Sequence, residues 1–178
     1  MKTLGLCVLS LLSPFLVIPA GARADTVTVT VHQVSAAGQA ASVGEVVFED
    51  TDHGLLVRPD LAGLAPGPAG AHIHERPDCG PKQMDGHTMP AGAAGGHLDP
   101  HGTGVHAGPY GDGHLGDLPN LMVEADGRAR IPVLAPRLRV RDIVQRALVV
   151  HGGADRYTDH AAHHHGKGGG RLYCGVIE

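Results

Sequence analysis

The sequence predicts an all-β domain of eight strands, folded as a sandwich or a barrel. Short segments rich in β-branched residues recur along the chain, and turn residues separate them, with 27 glycines and 13 prolines among 178 residues. No segment has the apolar periodicity of a convincing amphipathic helix. Many short strands joined by Gly- and Pro-rich turns are typical of sandwiches and barrels.

The predicted strands follow one another along most of the chain. In the first strand threonine alternates with valine, which is the period of a strand with one buried face. The third ends at Pro59, and the fifth and sixth flank Asp126-Gly127, a strong signal for a tight hairpin. The eight segments are residues 26–31, 44–49, 54–59, 71–75, 121–124, 129–133, 146–151 and 171–177.

The first 24 residues are a predicted secretory signal peptide. A lysine follows the initial methionine, and residues 4–18 are apolar apart from serine, glycine and proline. Small residues at Ala22 and Ala24 occupy the two positions that a signal peptidase reads, so cleavage is expected before Asp25. The apolar run is too short for a comfortable membrane span. We therefore expect a single exported domain over residues 25–178, without membrane attachment after processing.

The charge balance argues against two classes of partner. The whole chain has a formal net charge of −4, and loss of Lys2 and Arg23 with the signal peptide changes it to −6. An acidic surface disfavours nucleic acid and anionic membranes as partners, although the local field in a cleft can still attract a small anion. Histidine is the unusual residue, because all 14 lie after the signal peptide. This abundance directs attention to metal sites.

Two long stretches, residues 76–119 and 152–170, contain no predicted strand. Long ordered loops in a compact domain are usually functional or held in place by other interactions. Cys7 leaves with the signal peptide, so Cys79 in the first loop and Cys174 in the last strand form an even pair. In an exported protein a disulfide is expected, which would stabilise the fold by about 4–5 kcal/mol. The alternative is two buried free thiols.

Three histidines on predicted strands are candidate copper ligands. His72 and His74 are alternate residues of one strand, so both imidazoles point to the same face and can reach one ion. Such a pair alone is weak support, since two histidines on a strand are often simply solvated. His151 ends an apolar segment, where a bare histidine needs a partner. An all-imidazole set of this kind suits copper.

A second candidate set lies in the first long loop. His97 follows two glycines that let the backbone approach other groups closely, and His106, His114 and Asp117 follow at spacings of nine, eight and three residues. Three imidazoles and one carboxylate make a closed tetrahedral zinc site with no open coordination position. A closed site of this kind is structural.

Four motifs occur together in this chain: His72-Ile73-His74-Glu75, Gly95-Gly96-His97-Leu98-Asp99-Pro100, Gly111-Asp112-Gly113-His114-Leu115-Gly116-Asp117-Leu118-Pro119 and Gly170-Arg171-Leu172-Tyr173-Cys174-Gly175-Val176. In their order and spacing they resemble the bacterial periplasmic branch of the copper/zinc superoxide dismutases. The resemblance covers essentially the whole chain after the signal peptide. It implies a Greek-key, immunoglobulin-like sandwich or barrel, a periplasmic location, and dismutation of superoxide to dioxygen and hydrogen peroxide.

The resemblance also implies a metal-binding role for seven residues. It assigns His72, His74 and His151 to copper alone, His106, His114 and Asp117 to zinc alone, and His97 to both metals as a bridging imidazolate. One copper and one zinc would then bind to each subunit. Zinc has no redox chemistry, so its expected role is to hold the loop and His97 in place.

Four further residues have implied roles beside the metals. Arg171 matches the arginine that docks superoxide next to copper, and with His97 it completes the expected catalytic pair. Asp155 matches the aspartate that hydrogen-bonds one copper ligand and one zinc ligand, which would fix the orientation of both imidazoles. Cys79 and Cys174 match the family's intrachain disulfide. The expected small-molecule partner is superoxide, and the expected assembly is a homodimer or a monomer.

A non-enzymatic function is the alternative. A protein of the same fold could bind or deliver copper and zinc without turnover. In such a protein a copper ligand or the arginine would usually be missing, and here all of them are present. We therefore expect the enzyme, which would protect the periplasm from superoxide.

Three positions depart from the family pattern. Ala71 replaces a large aromatic residue before the first copper ligand, Tyr110 replaces a tryptophan near the family's subunit contact, and His87 replaces a lysine that aids steering of the substrate. A histidine-rich tract in the second long loop has two interpretations, a solvated polar loop or an accessory metal site. Its residues are His160, His163, His164 and His165.

Overall fold

The computed structural model describes residues 24–84, 86–158 and 168–178. The predicted signal peptide, apart from Ala24, and the histidine-rich tract lie outside these residues. The described strands are β1 (Thr26–Ser35), β2 (Gly38–Thr51), β3 (Gly54–Leu61), β4 (Gly67–Ala69), β5 (Ala71–His74), β6 (Lys82–Met84), β7 (His87–Met89), β8 (Leu121–Val123), β9 (Val133–Ala135), β10 (Arg146–His151) and β11 (Arg171–Ile177). A 3-10 turn covers Gly92–Ala94 and one short helix, α1, covers Val140–Ile143.

Seven strands form one antiparallel sheet in the order β5-β10-β11-β1-β2-β3-β9. Outside this sheet β4 pairs with β8, and Ala129 bridges to both Leu61 of β3 and Val123 of β8. Only Gly70 separates β4 from β5. The pairings therefore connect β3, through Ala129 and β8, to β4 and β5, and they close the sheet into a barrel. The chain crosses from β3 to β4 instead of continuing to its neighbour β9, as in a Greek key. The predicted eight-stranded Greek-key barrel is therefore confirmed, with β4 and β5 counted as one strand and the separate β6–β7 hairpin left out of the count.

The interior of the barrel is filled by alternate residues of the strands. Val29 and Val31 of β1 and Val46 and Phe48 of β2 are buried, while Thr30 is exposed and Val47 is half-buried. This is the alternation that the threonine–valine pattern predicts for a sheet with one buried face. On β5 the side chain of Ile73 belongs to this core, so His72 and His74 project from the opposite face of the strand.

The structure contains short elements that the sequence did not predict. Residues 76–119 hold the β6–β7 hairpin and the 3-10 turn, and β4 precedes the predicted fourth strand. α1 is only four residues long, too short to show a periodicity, and its first backbone N–H, on Val140, donates to the Asp50 carboxylate at 2.8 Å. Within the described ranges, no helix has the length and apolar character of a membrane span.

Candidate metal centre

Strand β5 carries the first two candidate ligands and is bordered on both edges. One edge pairs with β10, where His72 lies opposite Val149. The other edge meets the first long loop through two isolated bridges, from His72 to Asp117 and from His74 to His97. A Cβ atom at Gly116 would collide with the carbonyl oxygen of Ile73, so glycine is required where the loop crosses the strand. His72 and His74 thus lie beside the loop that carries the second candidate set, which is His97, His106, His114 and Asp117.

The loop and strands bring the seven predicted residues into two clusters. In each cluster the candidate ligand atoms all lie within 4.8 Å of one another. We name the two clusters after the metals that the sequence predicts for them. The copper cluster contains His72, His74, His97 and His151, and the zinc cluster contains His97, His106, His114 and Asp117. His97 belongs to both. Six of the seven are buried, and His97 is nearly so.

Hydrogen bonds fix the tautomers of two copper-cluster rings. Nδ1 of His74 lies 3.0 Å from the carbonyl oxygen of Gly95, and Nδ1 of His151 lies 2.9 Å from that of Gly169. A carbonyl oxygen only accepts, so each Nδ1 carries the proton and each Nε2 keeps its lone pair. Nε2 of His74 is buried and has no hydrogen-bond partner among the described residues. A metal ion is the group that such a lone pair fits.

His72 is oriented by a carboxylate. Its Nε2 donates to the Asp155 carboxylate at 2.7 Å, so its Nδ1 keeps the lone pair. This Nδ1 lies 3.0 Å from Nε2 of His151, which is also an acceptor. Two acceptors at this distance need a cation beside them. The donor set, all imidazole nitrogen, fits copper.

In the zinc cluster three imidazoles surround one carboxylate. Nδ1 of His97 lies 2.8 Å, Nδ1 of His106 lies 2.9 Å and Nδ1 of His114 lies 3.6 Å from oxygens of Asp117. Zinc takes this combination of three imidazole nitrogens and one carboxylate in a closed tetrahedral site. Because Nδ1 of His97 faces Asp117, its Nε2 is the nitrogen left for the copper cluster. One ring can therefore serve both metals.

Asp155 links the two clusters by hydrogen bonds to one histidine of each. One of its oxygens accepts from Nε2 of His72 and the other from Nε2 of His106, each at 2.7 Å. The Asn120 side chain holds the backbone of Asp155 with hydrogen bonds of 2.8 and 2.9 Å, and the Asp155 carboxylate also accepts from the backbone N–H of Tyr157. The Tyr157 hydroxyl in turn accepts from the backbone N–H of Asn120 at 2.7 Å. Sequence analysis missed Asn120 and Tyr157, because only the fold brings residues so far apart in sequence together.

The pKa values of the copper-cluster histidines are low. Burial lowers the pKa of His72 to about 3 and that of His151 to about 4. Burial also lowers the pKa of His74 and of His97, despite the hydrogen bond of His97 to Asp117. These imidazoles are therefore neutral at pH 7, which is the form that binds a metal.

His106 has the opposite electrostatic balance. Burial lowers its pKa, but the hydrogen bonds to Asp117 and Asp155 outweigh burial and raise the pKa to about 9. Geometry gives the same result, since both ring nitrogens face carboxylates and only an imidazolium donates from both. Burial raises the pKa of both carboxylates, but the histidine hydrogen bonds outweigh it and hold both well below the usual range. Without metal, His106 is thus a cation between two anions.

Comparison with known proteins identifies the family. The sequence profile described as "Copper/zinc superoxide dismutase (SODC)" matches residues 42–177. The chain belongs to the copper/zinc superoxide dismutase family. It is 45% identical to "Superoxide dismutase [Cu-Zn]" of Escherichia coli K12 over the whole of both chains, and 46% identical to "Superoxide dismutase [Cu-Zn] 2" of Salmonella typhimurium, also over the whole of both chains.

Solved structures agree with this assignment. The copper/zinc superoxide dismutase from Brucella abortus superposes with a TM-score of 0.83 at 44% identity, covering 86% of this chain and all of that one. The monomeric copper, zinc superoxide dismutase from Salmonella enterica gives 0.77 at 45% identity with the same coverage. Membership in the copper/zinc superoxide dismutase family confirms the predicted activity, superoxide dismutation, and the predicted cofactors, copper and zinc.

The disulfide predicted for this superoxide dismutase is present. Cys79 and Cys174 are bonded, with their Cα atoms 5.7 Å apart. Both are buried in a second small core with Ala91 and Ala94 of the loop and Val149 of β10. The bond therefore fixes the start of the metal-bearing loop to the last strand.

Arg171 lies beside the copper cluster, next to His74. Its guanidinium donates to the carbonyl oxygens of Ala91 at 2.7 Å and Gly95 at 2.8 Å, and the latter oxygen also accepts from Nδ1 of His74. Burial, with a smaller effect from the nearby charge of Arg76, lowers the pKa of Arg171. The side chain lines a surface cavity of about 300 Å³. An anion in this cavity would meet a fixed cation beside a candidate copper ligand.

None of the three departures from the family pattern belongs to either cluster. Ala71 is fully buried in the barrel core opposite Val150, Tyr110 is 71% exposed, and His87 is exposed on β7. Asp99 accepts from the backbone N–H of Gly104 at 2.8 Å and belongs to neither metal cluster.

Proposed function

We propose that the copper cluster holds the redox-active copper of a periplasmic superoxide dismutase and the zinc cluster holds its structural zinc. The observation that carries this assignment is the position of His97. Its two ring nitrogens serve two adjacent clusters, one of imidazoles only and one with a carboxylate. These are the donor sets that suit copper and zinc respectively.

Arg171 has the role of binding and orienting the substrate anion. A guanidinium is a permanent cation with its donors in a rigid plane. Two of its nitrogens are engaged by the carbonyls of Ala91 and Gly95, so the charge is held in place before superoxide arrives. The shared Gly95 carbonyl links this position to His74. Arg171 thereby offers superoxide a fixed positive charge close to His74 of the copper cluster.

His97 has the role of proton donor at Nε2. When bound, copper supplies one-electron exchange with superoxide in both directions. The overall reaction converts two superoxide ions and two protons into one dioxygen and one hydrogen peroxide. Nε2 of His97 lies on the copper side of the ring and can hold a proton for the peroxide, while Asp117 keeps Nδ1 oriented toward the zinc cluster. The low exposure of the ring limits exchange of that proton with bulk water.

The proposed roles are tested by Arg171→Ala and His114→Ala. Arg171→Ala is expected to keep both metals while lowering the rate of superoxide removal, most visibly at low salt, because screening weakens charge attraction. His114→Ala is expected to lose zinc before copper. Rates for Arg171→Ala that match the wild type at every ionic strength would contradict the first role, and intact zinc stoichiometry in His114→Ala would contradict the second. Arg141→Ala, at an exposed arginine of α1, is the matched control.

Export to the periplasm is part of this proposal. Several relatives come from bacteria with an outer membrane, the chain matches the E. coli relative over its full length, and a disulfide is typical of an oxidising compartment. Edman sequencing of the protein from a periplasmic fraction should begin at Asp25. A mature protein beginning at the initial methionine would contradict the predicted signal peptide of residues 1–24 and the predicted domain of residues 25–178.

Of the two predicted assemblies, homodimer and monomer, we propose the monomer. The Salmonella enterica relative is described as monomeric and matches over its whole length. Light scattering of the metal-loaded protein should give the mass of one chain. A mass of two chains at micromolar concentration would favour the homodimer.

A further inference from the structure

The β6–β7 hairpin carries two of the chain's four methionines on one face. Met84 lies directly opposite His87 across the hairpin, and Met89 is two residues further along the same strand as His87. Because residues opposite each other and alternate residues share a face, all three side chains lie on the same side. Lys82, which lies directly opposite Met89, is the fourth side chain on this side. The pair on the other side is polar, since the Gln83 side chain donates to the Thr88 hydroxyl at 2.7 Å.

This face borders the cavity of Arg171. Met84 and Met89 both line that cavity, and neither belongs to a hydrophobic core cluster among the described residues. Met84 is 39% exposed and His87 is exposed, so a small ion can reach them from solvent. Burial of apolar surface in a core therefore does not account for these two methionines.

The donor atoms of this face are soft. Thioether sulfur selects Cu(I) over the harder divalent ions, and imidazole also binds copper. We propose that Met84, His87 and Met89 form a Cu(I)-binding site at the rim of the cavity, which captures copper for the copper cluster. No electron is transferred in this capture, because copper remains Cu(I) and only its ligands exchange. The delivery step depends on the copper cluster proposed above.

The position of the rim site favours transfer inward. Arg171, which lines the same cavity, shares the carbonyl oxygen of Gly95 with His74 of the copper cluster. Gly95 itself lines this cavity, so an ion leaving the thioethers starts in a cavity bordered by a residue that contacts His74. Four imidazole nitrogens, with the added charge of Asp155 behind them, make the stronger final site.

Methionine methyl NMR tests the binding step. The mature protein is loaded with zinc and copper, its copper is reduced to Cu(I) with the disulfide intact, and its methionine methyls are labelled with ¹³C. It is then titrated anaerobically with the Cu(I)–acetonitrile complex. The methyl signals of Met84 and Met89 should shift together as Cu(I) is added, while that of Met122, an exposed methionine on β8, should not. Zn²⁺ should leave all three signals in place. Histidines elsewhere in the chain compete for Cu(I) but do not shift a methionine methyl signal, so the titration is continued to several equivalents.

The contrary results are equally specific. Unchanged Met84 and Met89 signals, or a shift of Met122 as large as theirs, would overturn the site. Met84→Leu with Met89→Leu should weaken Cu(I) binding at this face by at least about tenfold, since loss of even an outer-shell partner costs that much in metal affinity. Met122→Leu is the matched control and should bind like the wild type.

Copper loading tests delivery. Zinc-loaded, copper-free protein is mixed with limiting Cu(I) in a competing chelator, and copper uptake is followed by the content of the isolated protein. The double leucine variant should load more slowly than Met122→Leu but reach the same final copper content. Equal loading rates would overturn the capture role. If neither protein took up copper at the end point, the proposed copper cluster itself would be wrong, so the two failures are distinguishable.

Discussion

Zinc binding should expel the proton of His106. In the metal-free protein this ring lies between the carboxylates of Asp117 and Asp155, and its pKa is raised to about 9. At pH 7.5 almost every molecule therefore carries this proton, whereas a zinc ligand must be neutral. The other ligands with shifted pKa values, His97 and Asp117, are already deprotonated. About one proton should leave for each zinc bound.

The same shift sets the pH dependence of zinc affinity. A raised pKa means that the ion pairs of His106 stabilise the metal-free fold below pH 6.5, and that this contribution disappears as the pH rises through about 9. Protons therefore compete with zinc throughout the physiological range. At pH 7.5 the competition amounts to about 2 kcal/mol, or about thirtyfold in affinity, relative to the plateau above pH 9.

Calorimetry measures this release. Zinc is titrated into metal-free protein in several buffers at pH 7.5, and the slope of the apparent enthalpy against the buffer's ionisation enthalpy gives the number of protons. We expect about one for the wild type and fewer for Asp155→Asn, which removes one of the two carboxylates. Asp52→Asn, in the exposed β2–β3 turn, is the control and should match the wild type. A release near zero in the wild type would refute the assignment of His106 as an imidazolium.

Three further predictions concern the stability of the fold and the retention of zinc. Replacing both cysteines of the Cys79–Cys174 bond by alanine should lower the free energy of unfolding by about 4–5 kcal/mol in urea titrations, and an unchanged midpoint would contradict it. Gly108→Ala should lower zinc retention more than Gly102→Ala: both glycines have a positive φ, but only at Gly108 would a Cβ clash, with the Tyr157 ring at 2.7 Å. Equal losses would show that the clash is relieved. Metal-free protein should lose stability as the pH falls from 6.5 to 5, by at most about 2 kcal/mol for each buried histidine of the copper cluster. The pKa values of these histidines are lowered in the folded protein, so protons bind preferentially to the unfolded chain. A melting temperature that stays constant over this pH range would contradict the prediction.

Much of the fold and of the metal site follows from local sequence patterns. The alternation of threonine and valine in β1 and the Asp126-Gly127 turn predict strands and a hairpin without knowledge of the fold. His72 and His74 must share a face of β5 for the same reason. The elements that were missed are those with weak local signals. Residues 67–69 contain a proline and read as a turn, yet β4 exists because it needs to pair with only one neighbour, β8.

The supporting groups of the site could not be predicted from spacing. The backbone carbonyls of Gly95 and Gly169 determine the tautomers of His74 and His151. Glycine has no side chain from which such a role could be predicted. Asn120 supports Asp155 across 35 residues of sequence, which only the folded barrel brings together. The resemblance to a family supplied the role of Asp155, whereas the charge state of His106 required the distances to both carboxylates.

Anomalous diffraction at the copper and zinc absorption edges tests the central assignment most directly. Crystals of the metal-loaded protein should show a copper peak among His72, His74, His97 and His151, and a zinc peak among His97, His106, His114 and Asp117, with His97 between the two. Exchange of the two metals between the clusters, or a single peak that leaves His97 on one metal only, would contradict the account.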